Sequence, residues 1–198
     1  STSLFNLGSA LSILHDYEQA KRHLEEAIEI TRQLNHTRVL AAALGNLGGI
    51  LTEEGRHEEA LGLYQQGLEV HRETGFRLGI ALAMDNVGTA YYFLENELES
   101  QYYLRQSIRE ARELRADYIA LDALVSIAGL RARKGDAEKA LELLSLVRTH
   151  PKADIESVNA VEKLLPQVVA VLGADAIRAA EEQGRMLELD QAINDVLR

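Results

Sequence analysis

The 198-residue chain has side chains capable of chemistry, but their spacing serves none of the common reactions. There is no cysteine, which excludes thiolate nucleophiles, disulfides and cysteine-bound zinc. The six histidines, His15, His23, His36, His57, His71 and His150, include no pair four residues apart, and His-Glu-x-x-His does not occur. A helical zinc site of that type is therefore excluded. No Gly-x-x-x-x-Gly-Lys-Ser/Thr, Gly-x-Gly-x-x-Gly or Gly-x-Ser-x-Gly is present, and Gly129 to Gly135, though flanked by arginines, lacks the Lys-Ser/Thr of a phosphate loop. Acidic pairs such as Glu25-Glu26, Glu53-Glu54 and Glu58-Glu59 read as solvated helix faces. The expectation is a non-enzyme without catalytic residue, metal or cofactor.

What the chain does carry suits recognition. Asn6, Asn46 and Asn86 recur at intervals of 40. A regularly spaced amide can pair with both the N–H and the C=O of an extended peptide, and it can equally cap or bridge adjacent helices. Five of the ten aromatics, Tyr91, Tyr92, Phe93, Tyr102 and Tyr103, fall within 13 residues. Tyr91 reads as core, while Tyr92 and Phe93 are the candidate anchors at a groove or its rim, with packing compensation as the alternative. Arg32, Arg72 and Arg112 form a third column at the same interval. Its position near helix C-termini, with glutamates upstream, favours a structural role.

These columns belong to a wider forty-residue period that sets the elements. Leu7-Gly8, Leu47-Gly48 and Val87-Gly88 are spaced by 40, as are Ala20, Ala60, Ser100 and Ala140, and Leu24, Tyr64, Leu104 and Leu144. Within each copy, apolar residues return at three- and four-residue steps, the mark of a helix face. The breaks at His15-Asp16, Gly55-Arg56, Glu95-Asn96 and Gly135-Asp136 divide each copy into two helices, and Asn35, Gly75 and Arg115 mark the joints between copies. The expected domains are four copies over 1–150 (1–35, 36–75, 76–115 and 116–150) and capping helices over 151–198. The last region reads as a helix from Asp154 to Leu172 kinked at Pro166, a helix from about Ala174 to Gln183 ended by Gly184, and a helix from Leu189 to Leu197.

The pattern resembles the tetratricopeptide repeat, large–x–x–Leu–Gly–x–x–aromatic followed by Ala–x–x–x–aromatic–x–x–Ala. It falls on Leu4, Leu7, Gly8, Leu11, Ala20, Leu24 and Ala27, and on Leu44, Leu47, Gly48, Leu51, Ala60, Tyr64 and Gly67 in the second copy. In the later copies Ser100 and Ser107 replace small apolar residues and Arg131 replaces a core aromatic. The forty-residue length is similar to the long-helix repeats of kinesin light chains and of the sensor arrays of large bacterial regulatory ATPases. Leu172-Gly173 followed by Gly184-Arg185-Met186-Leu187-Glu188-Leu189-Asp190-Gln191-Ala192 resembles the C-terminus of such regulators, with Glu188 where a capping serine is usual.

The resemblance implies an all-α right-handed α-solenoid that serves as the ligand- or protein-sensing region of a larger signalling or transcriptional regulator, with an effector and a nucleotide-binding switch domain preceding the array. It also implies that the asparagines face a peptide groove. The alternative is a stand-alone protein–protein adaptor or oligomerisation module. Adaptors that grip a terminal carboxylate need basic residues along the groove, whereas the neighbours of the asparagines are Phe5, Gly45 and Asp85. The expected partner is a protein, a peptide or a small inducer. With 31 acidic and 21 basic side chains, a net charge of −10, the chain repels a phosphate backbone, so nucleic acid is not expected as a direct partner. No apolar run has the length of a membrane span, and the expected location is cytoplasmic. The first helix has no preceding helix to cover Leu4 and Leu11. Residues 1–15 are therefore expected either to expose an apolar face or to bury it in a homodimer, and residues 174–198 to fold back as a cap.

Overall fold

The computed structural model describes residues 1–198, and every regular element in it is a helix: α1 (Thr2–Ile13), α2 (Tyr17–Gln33), α3 (Thr37–Glu53), α4 (His57–Thr74), α5 (Arg77–Phe93), α6 (Glu97–Leu114), α7 (Asp117–Arg133), α8 (Ala137–Thr149), α9 (Ile155–Val169), α10 (Ala174–Met186) and α11 (Leu189–Leu197). The joints are backbone devices. His15, Asn35, Gly55, Gly75, Glu95, Arg115 and Gly135 all have positive φ, one every twenty residues. At His15, Asn35, Gly55, Gly75, Arg115 and Gly135 the following N–H reaches the carbonyl five residues back, as Arg56 N does to Leu51 O at 2.8 Å. This closure ends a helix and reverses the chain in two or three residues. Three of the seven are glycine; the other four accept a left-handed conformation that costs a side-chain-bearing residue about 1 kcal/mol. Asp16, Asn96 and Asp154 then start the next helices by accepting from the N–H three residues on, Gln19, Glu99 and Ser157.

The chain forms two compact units, Ser1–Glu95 and Asn96–Arg198, so the third copy supplies α5 to the first unit and α6 to the second. In the first unit α1, α3 and α5 form a row of first helices, each packed against the second helices α2 and α4 that flank it. Ala20, Leu24, Ile28, Ala43, Leu44, Leu47 and Ile50 make one core cluster. Gly8 and Gly48 serve close approach, but their partners are the large residues of the facing helix rather than the alanine alone. A Cβ on Gly48 would lie 2.5 Å from the Tyr64 ring, and one on Gly8 would lie 2.8 Å from Leu24 Cγ. Tyr64 is anchored there by a 3.0 Å hydrogen bond between its hydroxyl and Thr52 Oγ1, and burial pushes its pKa up to about 12. At the outer side Leu7 is 46% exposed, whereas its equivalents Leu47 and Val87 are 7% and 0% exposed.

In the second unit α7 packs against α6, α8 and α9, while α10 folds back onto α8 and α11 onto α6. Arg112 of α6 donates to Asn194 Oδ1 of α11 at 3.0 Å, which fastens the last helix. α9 runs on through Pro166 and ends three residues later, short of Leu172. α10 does not stop at Gly184 as the sequence suggested; it continues to Met186. Gly184 is instead the contact point of α10 on α8, where any Cβ would collide with the Glu142 carbonyl and Ser145 Cβ.

Candidate functional site

All five candidate groove residues, Asn6, Asn46, Asn86, Tyr92 and Phe93, lie in the first unit on its row of first helices, at equivalent turns of α1, α3 and α5 for the asparagines. Their environments differ. Asn6 is exposed, and Asn46 and Asn86 are half-buried. Asn46 Nδ2 donates to Ser9 Oγ at 2.7 Å, and Ser9 Oγ donates in turn to the Phe5 carbonyl at 2.8 Å. The second rung thus bridges α3 to α1. Forty residues after Ser9 the chain has Gly49, so the side-chain bond that holds Asn46 has no counterpart for Asn86. The Ser9–Gly49 difference was readable in the sequence, but its meaning depends on knowing that position 9 of one copy meets position 46 of the next.

The aromatic pair also divides. Tyr92 is 8% exposed and Phe93 is 42% exposed. The two rings meet edge to face at 5.2 Å, and Phe93 stacks on the His57 imidazole at 4.6 Å with an interplanar angle of 7°. His57 opens α4, and its Nδ1 is buried without a hydrogen-bond partner, so the imidazole functions as an apolar plate. Nothing in the spacing of the histidines pointed to this role. Tyr91 is half-buried rather than core, and its hydroxyl accepts from Gln65 Nε2 at 3.2 Å. The rim of α5 therefore presents Phe93, backed by His57 and Tyr92, on the helix that carries Asn86.

The arginine column is consumed structurally: Arg32 donates to Gln66 Oε1 at 2.8 Å, Arg72 pairs with Glu69 at 3.0 Å, and Arg112 holds Asn194. The turn between α3 and α4 is laced by Lys21, which bridges Glu18 at 2.9 Å and Glu54 at 2.5 Å, and by Arg56, which grips Glu59. Hydrogen bonding to Glu54 and then Glu18 raises the Lys21 pKa, and hydrogen bonding to Lys21 lowers that of Glu54.

One buried polar cluster in the second unit was not anticipated. The Ser157 hydroxyl of α9 lies within hydrogen-bonding reach of Asp122 Oδ1 on α7 and of Asp154 Oδ1, 2.8 Å away. Burial pushes the Asp122 pKa up to about 7, against the lowering effect of its hydrogen bond from Ser157 and with Asp154 and Glu156 adding to the rise. No helix of the chain is long and apolar enough to cross a membrane.

Hairpins of helices on a forty-residue backbone period, closed by small residues where they cross, define an α-solenoid of the tetratricopeptide type. The chain belongs to the family described as the MalT-like TPR region, whose model matches residues 1–197. Among solved structures it is similar to BtubC (BKLC) from P. vanneervenii, with 15% sequence identity and a TM-score of 0.64 over 95% of this chain and 78% of that one. At that identity the likeness is one of fold. No curated protein matches the chain.

Proposed function

We propose that this chain is a non-catalytic binding scaffold, the ligand- or protein-sensing region of a larger cytoplasmic signal-transduction or transcriptional regulator. The row of first helices in the N-terminal unit receives an extended segment of a protein or peptide. The observation that carries this reading is the pairing on α5 of Asn86, whose counterpart of the Ser9 bond is missing, with the exposed Phe93 ring. An amide offers a donor and an acceptor to a peptide unit, and a rigid aromatic one turn or two away supplies contact area at low entropic cost. Selection of a displayed peptide library on the whole chain tests it. An enriched peptide should bind Asn86→Ala and Phe93→Ala at least ten-fold more weakly, with unchanged melting temperatures. Failure to enrich any peptide, or equal affinity for both variants, overturns the groove.

A second reading, oligomerisation through α1, is favoured by Leu7, Ile13 and Leu14, which are 46%, 74% and 75% exposed. Light scattering across a concentration series tests it, and Leu7→Ser with Leu14→Ser should abolish any dimer.

A further inference from the structure

A cavity of about 450 Å³ opens in the second unit among α7, α8, α10 and α11. Arg131, a departure from the repeat, lines it. The equivalent positions are Leu11, Leu51 and Tyr91, all large and apolar or aromatic. Leu51 is buried and Leu11 and Tyr91 are half-buried, so the position lies at the edge of the core, where a guanidinium still needs a partner. Arg131 has a poor one: its side chain is 28% exposed, and its carboxylate neighbour Asp136 stands 3.9 Å away, beyond hydrogen-bond distance.

The other charges of the cavity are already matched. Lys139 spends its ammonium on both oxygens of Glu142, at 2.7 and 3.0 Å, and Arg198 pairs with Asp195 at 3.4 Å. Of the three cations Arg131 has the loosest pairing, 3.9 Å from Asp136. The lining also includes the exposed Gln183 and Gln191, buried Leu143 and half-buried Leu187. A fork of N–H donors, two amides and an apolar wall in a space of this size are what a small amphipathic oxyanion requires.

We infer that this cavity binds a small organic oxyanion, a carboxylate or a phosphate ester with an apolar portion, through a bidentate bond from Arg131. The site is separate from the row of first helices and does not rest on peptide binding there. Phosphate esters and carboxylates share the chemistry, and the experiment separates them.

The whole chain, isotopically labelled, is titrated in parallel with phenyl phosphate, phenylacetate and the neutral control benzyl alcohol, and the Arg131 Nε–H and the Leu143 and Leu187 methyl resonances are followed. The expected result is a saturable shift of all three groups with at least one of the two anions and none with the alcohol. The anion that saturates at lower concentration identifies the class. Arg131→Leu restores the residue type of Leu11 and Leu51, so it should fold and should weaken the anion at least ten-fold. Should that variant aggregate, Arg131→Gln, which keeps length and polarity, must show the same loss. Absence of saturable shifts with both anions overturns the inference, as do shifts that persist undiminished in these variants.

Discussion

α1 and α7 occupy the same place in the repeat, yet α1 buries only Gly8 while α7 buries eleven of its seventeen residues. Intrinsic apolarity does not explain the difference, because α1 carries Leu4, Phe5, Leu7, Leu11 and Ile13. Neighbours do. α1 packs against α2 and α3, whereas α7 is enclosed by α6, α8 and α9. Burial in a repeat array is a property of the stack on either side of a helix, so one signature yields core in one copy and open surface in another.

The strongest way to break that comparison is to delete the same atoms at both places. Leu124→Ala, at a fully buried site on α7, should cost about 3 kcal/mol, whereas Leu7→Ala on α1 should cost less than about 1 kcal/mol in urea unfolding. Equal losses would show that α1 is covered in solution.

A smaller contrast concerns one methyl group. Gly184→Ala drives a Cβ into the Glu142 backbone and should cost about 2 kcal/mol and loosen α10 from α8. Gly62→Ala, on α4 with nothing within 4 Å of the new Cβ, should stabilise by about 0.5–1 kcal/mol, the helix-propensity gain. Thermal unfolding of the two variants gives opposite signs if α10 is docked.

The buried cluster sharpens the comparison through pH. The unfolded Asp122 carboxyl ionises near its ordinary value of 3.8, whereas the folded one holds its proton until about 7. Between those values the unfolded chain binds fewer protons, so stability falls as pH rises, and the contribution is lost above 7. Asp122→Asn should flatten that slope and exceed the native chain by on the order of 2 kcal/mol at pH 8, read by urea midpoints from pH 4 to 8.

The smallest expected effect is at a joint. Arg115 sits at φ 54°, and Arg115→Gly should stabilise by about 0.5 kcal/mol, the relief of the left-handed strain less the entropy of an added glycine. A loss of stability instead would show that the side chain matters more than the backbone there.

Sequence periodicity located every joint, because a left-handed closure depends on a few adjacent residues: His15, Glu95 and Arg115 were placed by register although none is a glycine. Contacts between elements were harder to read. Gly184 looked like a helix stop, since the sequence does not show that α8 lies against it. For Asn46 the sequence left groove rung and helix bridge equally open, because its partner Ser9 is 37 residues away and on another copy. Asp122 gave no signal, as its partner Ser157 belongs to a helix outside the repeat. Arg131 was visible as a departure, but only the backfolded α10 and α11 turn that departure into a cavity.

The closures recurring every twenty residues also govern how the length of such a chain can change. One residue added inside a helix would turn everything beyond it by about 100°, swinging its apolar face away from its neighbours. Removing residues 36–75 would instead join Asn35 to Phe76, and Phe76 opens α5 in the place where His36 opens α3. Every later helix would keep its phase. Whole copies of 40 residues are therefore the unit that can be added or removed without disturbing the phase of the helices.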